Sequence, residues 1–131
     1  MNNWEISMDD KLKEIINHYG VIPQLKYLQS EVFEFNEAVI KAEEYYPSSN
    51  DSLEKINCNV EYYTNHIAEE MADVFVMLFQ FKEYYHIDGK DIMRIMKEKI
   101  DRQLKRIEQE LKDSDIKWIA FVIHANICGK D

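Results

Sequence analysis

Residues 66–81, which read HIAEEMADVFVMLFQF, constrain the fold of this chain more than any other stretch. The six residues that follow Asp73 are all apolar, and a helix that is apolar on every side is normally buried. Carboxylates at the start of such a helix are costly to bury unless positive charge meets them. Because Glu70 and Asp73 are three residues apart, a helix places both on one face. The segment therefore predicts a buried helix with an acidic pair at its entrance.

A second acidic pair, Glu31 and Glu34, repeats this spacing upstream and also borders a helical stripe of apolar residues. Two such pairs on facing helices would offer only carboxylate oxygens, which are ligands that suit Mg²⁺ or Mn²⁺. The alternative is that these residues are solvated charges on amphipathic helices. The sequence predicts one cation site, with Glu31, Glu34, Glu70 and Asp73 as its metal ligands.

The composition limits the class of protein. A chain of 131 residues with only three Gly and two Pro favours a single helical domain over residues 1–131. The formal net charge of −9 argues against a nucleic-acid interface, although divalent cations would still let the chain hold a phosphate ester. The two Cys are isolated, and no apolar run approaches the roughly 20 residues that span a bilayer. We therefore expect a cytoplasmic protein with no nucleic-acid or membrane partner.

Start and stop signals predict four main helices in a bundle-like arrangement. After a loose arm of residues 1–6 that contains Trp4, Ser7 can cap the first helix and Gly20 can end it. Pro23 suits the first turn of the second helix. The predicted helices span about residues 8–19, 23–45, 59–85 and 89–112.

Two segments do not follow the helical pattern. Residues 47–65 begin with Ser, Asn and Asp, so we expect an irregular insert in which residues 52–56 form one helical turn. Asp113 to Asp115 interrupts the pattern of the fourth helix, and the tail over residues 113–131 is apolar and β-branched. The sequence leaves open whether that tail is helix or strand.

Apolar residues that recur three and four positions apart define the predicted core of the three longer helices. These positions are Leu25, Leu28, Val32, Phe35 and Val39; Ile67, Met71, Val74, Leu78, Phe81 and Tyr85; and Met93, Met96, Ile100, Leu104, Ile107 and Leu111.

A basic stripe accompanies the fourth helix, because Lys99, Arg102 and Arg106 follow one another at helical spacing. These side chains are either a solvated helix face or ligands for phosphate. Tyr19 and Gln24, where the first helix meets the second, either reach a nucleobase or pack the helix ends.

Two motifs resemble those of the MazG-like, all-α nucleoside triphosphate pyrophosphohydrolases. Residues 30–39, SEVFEFNEAV, are similar to the first motif, with Glu31 and Glu34 at the metal positions, and residues 69–78, EEMADVFVML, are similar to the second. The resemblance covers about residues 20–111. The sequence departs from the first motif at Ser30, which replaces a leading Glu, and the connector between the motifs is longer than usual.

The resemblance implies hydrolysis of a canonical, deoxy or modified nucleoside triphosphate between its α and β phosphates, giving the monophosphate and pyrophosphate. It implies Mg²⁺ or Mn²⁺ at Glu31, Glu34, Glu70 and Asp73, and a water held by the metal as the nucleophile. Glu31 or Glu34 would accept the proton of that water.

The resemblance implies that Lys99, which also acts catalytically on the leaving pyrophosphate, binds the substrate with Arg102 and Arg106. Gln24 and Tyr19 are further substrate candidates, from their position where the first two helices meet. Homodimers or homotetramers are also implied, in agreement with the exposed apolar surface that residues 74–79 would leave. The alternatives are a pyrophosphohydrolase for another substrate, such as phosphoribosyl-ATP, and a catalytically silent helical protein that serves binding or assembly.

Overall fold

The computed structural model describes residues 7–129, and within that range it contains four helices and no strands. The predicted arm of residues 1–6, with Trp4, lies outside the described residues. In chain order the helices are α1 (Met8–Tyr19), α2 (Val21–Glu44), α3 (Leu53–Tyr84) and α4 (Gly89–Cys128). The prediction of an all-α protein with four helices is confirmed. None of the described helices combines the length and the hydropathy needed to cross a membrane.

The helices belong to two units, one that ends at Ile87 and one that begins at Asp88. In the first unit α1, α2 and α3 pack against one another, and α2 and α3 make the most extensive contact. These two helices are antiparallel, since Gln24 near the start of α2 meets Gln80 near the end of α3. The second unit consists of α4.

The first helix has the predicted bounds because a capping residue precedes its first turn and a glycine follows its last turn. The hydroxyl oxygen of Ser7 accepts the backbone N–H of Asp10 at 3.2 Å, and the hydroxyl donates to the Asp10 carboxylate at 2.8 Å. At the other end Gly20 adopts a φ of 91°, which favours glycine, and its N–H donates to the Ile16 carbonyl at 2.8 Å. Pro23 lies in the first turn of α2, as predicted.

The third helix begins at Leu53, so the prediction of an irregular insert over residues 47–65 is wrong for most of its length. Ser52 caps the helix by accepting the N–H of Lys55 at 3.2 Å, and the Lys55 ammonium donates to Asp51 at 2.8 Å. This pairing holds the pKa of Asp51 below its usual value. The polar composition of this segment predicts a loop, but the side chains of Asp51 and Ser52 stabilise the start of a helix.

The fourth helix continues through residues 113–115, where the sequence pattern predicted a break. The Gln109 amide donates to the Asp113 carboxylate at 3.0 Å, and Lys112 lies 3.4 Å from Glu108, so polar side chains support this turn. No Gly or Pro occurs between Gly89 and Gly129. The modest helix propensity of Ser and Asp, about 0.5 kcal/mol below Ala for each residue, is not enough to end the helix. The apolar tail is therefore helical to Cys128.

The faces of α2 and α3 that meet are shifted by about one residue from the predicted stripes. Of the predicted core, Leu25, Val32, Met71, Leu78 and Tyr85 are exposed. The side chains that the first unit buries are Leu12, Ile16, Gln24, Ala38, Met77 and Gln80. The other predicted positions on these helices are half-buried, namely Leu28, Phe35, Val39, Ile67, Val74 and Phe81. The prediction paired α2 with α3 correctly, but the face of each helix that packs lies about one residue away from the predicted face.

The predicted core positions of α4 are also wrong, because they are not buried in a single copy of the chain. All six side chains, from Met93 to Leu111, are exposed, and α4 has no buried residue. Their spacing makes a continuous apolar face rather than a core.

Candidate metal centre

The orientation in which α2 and α3 pack brings three acidic side chains close together. Glu31 and Glu34 on α2 and Glu70 on α3 each offer a carboxylate oxygen, and the three oxygens lie within 4.8 Å of one another. Residues three apart share a helix face, which explains how α2 contributes two of them. Three of the four predicted metal ligands are thus brought together from two helices.

Glu31 and Glu70 lie on the facing surfaces themselves, whereas Glu34 and Asp73 lie at their exposed edge. The Oε2 atoms of Glu31 and Glu70 are shielded from solvent, and neither has a hydrogen-bond partner among the described residues. A carboxylate oxygen that has lost water without gaining a donor or a cation is costly to bury. The two helices therefore leave two oxygens that a cation could satisfy.

The electrostatics of the cluster agree with this geometry. Desolvation raises the pKa of Glu31 above the ordinary 4.5, and the negative charges of Glu34, Asp73 and Glu70 raise it further, in that order. Asp73 is therefore close enough to act on Glu31, although it lies outside the tightest group. Adding positive charge at this point would relieve the repulsion.

A cavity of about 460 Å³ opens beside the acidic cluster. Glu31 and Asp73 form its acidic edge, and the predicted substrate ligands Tyr19 and Gln24 lie in its wall. The other lining residues are Pro23, Tyr27, Val76 and Met77. An aromatic and apolar wall next to carboxylates can hold a flat ring while a cation and phosphates occupy the acidic edge. Sequence reasoning missed Tyr27, which lies four residues before Glu31 and so one turn away on the same face.

Gln24 has a structural contact as well as its place in the cavity wall. Its Nε2 donates to Oε1 of Gln80 at 2.8 Å, and both side chains are buried. The Gln80 amide in turn donates to the Met77 sulfur at 3.5 Å. Gln80 was not predicted, although a single polar residue inside the apolar run LFQF is a signal that it faces a partner.

His66 connects the acidic cluster to a group of tyrosines. Its Nδ1 lies 3.8 Å from Oε1 of Glu70, and its ring stacks on Tyr62 with centroids 6.3 Å apart. A second cavity, of about 490 Å³, adjoins His66, and Tyr45 and Tyr63 also line it. The His66 side chain is half-buried beside a predicted metal ligand.

The three predicted phosphate ligands lie on α4, in the second unit. Lys99, Arg102 and Arg106 are exposed, and none of them forms a salt bridge with any residue in the range 7–129. Their role at the phosphates stays a prediction. The neighbouring acidic residue Glu69 is exposed.

Comparisons of the chain with models of protein families, with curated proteins and with solved structures find no match. The resemblance to the MazG-like superfamily stays a prediction from two motifs.

Proposed function

We propose that this chain hydrolyses a nucleoside triphosphate, in a Mg²⁺-dependent reaction, to the monophosphate and pyrophosphate. The proposal includes a MazG-type arrangement of the helices and a cytoplasmic location. It combines the two motifs with the geometry of the acidic cluster. The observation that carries it is the shielded, unpartnered Oε2 atom of Glu31 on α2 and of Glu70 on α3, in a cluster whose carboxylates each place an oxygen within 4.8 Å of the others.

The donor set fits a hard divalent cation. Glu31, Glu34 and Glu70 present oxygens within 4.8 Å of one another, and Asp73 adds charge at the edge. Oxygen ligands of this kind suit Mg²⁺ and Mn²⁺ rather than softer metals. When bound, Mg²⁺ would neutralise the phosphates and make a coordinated water more acidic.

The side chains of the cluster then have separate tasks. Glu31 and Glu34 lie close enough together for one carboxylate to bind the cation while a free oxygen of the other accepts a proton from the attacking water. Tyr19 and Gln24 would orient the nucleobase, and Lys99, Arg102 and Arg106 would stabilise charge on the phosphates.

The proposal also includes a homodimer or homotetramer. In the first unit four neighbouring apolar side chains on α3, Phe75, Val76, Leu78 and Phe79, are between 44% and 48% exposed. A contiguous apolar surface of this kind usually meets another protein surface, and closed homo-oligomers are the commonest arrangement.

A panel of canonical and modified triphosphates with Mg²⁺, with products separated by anion-exchange chromatography, tests the proposal. We expect equal amounts of monophosphate and pyrophosphate from at least one substrate. Because Glu70→Gln and Asp73→Asn each remove a ligand charge, we expect kcat/KM to fall by about 100-fold or more. Glu69→Gln is the matched control, since it makes the same change one residue away on the exposed face. Release of orthophosphate, or full activity in Glu70→Gln, would contradict the proposal.

The two alternatives give different results in the same panel. Turnover of phosphoribosyl-ATP with no turnover of triphosphates would assign the site to another pyrophosphohydrolase substrate. No turnover of any nucleotide would favour a silent helical protein that serves binding or assembly.

A further inference from the structure

Residues 100–121 of α4, about three heptads, carry a regular apolar seam. Its large members are Ile100, Leu104, Ile107, Leu111, Trp118 and Phe121, with Ser114 in the one polar position between them. From Ile100 onward these positions alternate four and three residues apart, which is the a and d pattern of a coiled coil. The six large side chains are between 50% and 64% exposed. We call this face the α4 seam.

One edge of the α4 seam is acidic along its length. Asp101, Glu108 and Asp115 follow one another seven residues apart, each one position after a d residue, so all three occupy e positions. We call these three residues the acidic flank. Most basic side chains near the seam lie at b, c and f positions on the opposite side, namely Lys99, Arg102, Lys105, Arg106 and Lys112, whereas Lys117 shares the g edge with Glu110. The two edges of the seam are therefore divided into an acidic e edge and a mixed g edge.

This division makes the α4 seam a poor match for a second copy of itself. In an antiparallel pair the e positions of one helix face the e positions of the other, so the acidic flank would meet its own copy. In a parallel pair e faces g, and Asp115 would then meet Glu110 of the other helix. Like charges at these positions disfavour a pairing and select another partner.

We propose that the α4 seam docks a helix of a different protein, one with an apolar a/d seam and Lys or Arg at the positions that face the acidic flank. The apolar side chains would supply most of the binding free energy. The acidic flank would set the choice and the orientation of the partner. The seam and its flank share no residue with the acidic cluster, and the proposal does not depend on hydrolysis.

Two synthetic helical peptides of about 28 residues test the proposal with the full chain. Both have the same Ile and Leu seam, and they differ only in carrying Lys or Glu at every e and g position. Fluorescence anisotropy of labelled peptide gives each dissociation constant. We expect the Lys peptide to bind about tenfold or more tightly than the Glu peptide, because the acidic flank attracts Lys and repels Glu, while Glu110 and Lys117 at g positions offset each other.

Two variants connect that preference to the named residues. Leu104→Asp with Leu111→Asp puts charge in the seam and should abolish binding of the Lys peptide, whereas Gln109→Asp adds charge on the opposite face and should leave it unchanged. The triple change Asp101→Lys, Glu108→Lys and Asp115→Lys should reverse the preference in favour of the Glu peptide. Circular dichroism confirms that each variant keeps its helix content.

Equal affinity for the two peptides would overturn the role of the acidic flank. If neither peptide binds and Leu111→Asp converts an oligomer to a monomer in sedimentation, the seam is occupied by a second copy and the proposal is wrong. Binding to neutral phospholipid vesicles with no binding of either peptide would overturn it as well.

Discussion

Replacing Glu31 by Gln should stabilise the protein when no metal is present. The change keeps the shape of the side chain and removes one charge from a group of carboxylates within 4.8 Å of one another. At that separation two unit charges repel by about 0.9 kcal/mol with the dielectric constant of water and by about 3.5 kcal/mol with an effective constant of 20. Because Glu34 and Asp73 are exposed, water screens much of the repulsion. We expect the free energy of unfolding to rise by about 1–2 kcal/mol.

Thermal unfolding followed by circular dichroism, in EDTA at neutral pH, measures this difference. A gain of about 1–2 kcal/mol corresponds to an increase in Tm of about 3–8 °C for a domain of this size. Added Mg²⁺ should raise the Tm of the unaltered protein more than that of Glu31→Gln, since a ligand that binds only the folded state stabilises it. Glu43→Gln, an exposed change on the same helix, is the control and should alter neither value.

Two results would refute the reasoning. If Glu31→Gln lowers the Tm in EDTA, the carboxylates do not repel one another in the folded state. If Mg²⁺ raises the Tm of both proteins equally, the cluster does not bind the cation through Glu31.

Two further predictions follow from the same unit. Because the folded state raises the pKa of Glu31 above 4.5, it binds that proton more tightly than the unfolded state does, so this carboxyl costs stability as the pH rises. The stability advantage of Glu31→Gln in urea unfolding should therefore grow from about pH 4.5 to 7, and an advantage that shrinks over that range would contradict the shift. Gln80→Ala should cost about 1–3 kcal/mol in the same assay, because it leaves the buried amide of Gln24 without its acceptor. The exposed change Gln29→Ala should cost far less, and an equal cost would exclude the Gln24 contact as the cause.

Local sequence signals were sufficient for most of the secondary structure. Ser7 and Gly20 bound α1 at the predicted residues because a capping hydroxyl and a positive φ act within one turn of the chain. The predicted helix bounds are wrong where a polar composition indicates a loop or the end of a helix. Ser52 and Asp51 start α3 instead, and residues 113–115 are carried within α4 by contacts between neighbouring turns.

The sequence by itself determined the four helices and the two acidic pairs, because helical periodicity and i, i+3 spacing are properties of a single helix. Only the tertiary structure decided which face of each helix points inward. Both α2 and α3 are apolar on more than one side, so the pattern permits several rotations, and packing selects the one that buries Ala38 and Met77. That rotation moves Glu31 and Glu70 from the border of the core onto the facing surfaces. The acidic residues were visible in the sequence, but their desolvation and their convergence depend on how two helices pack.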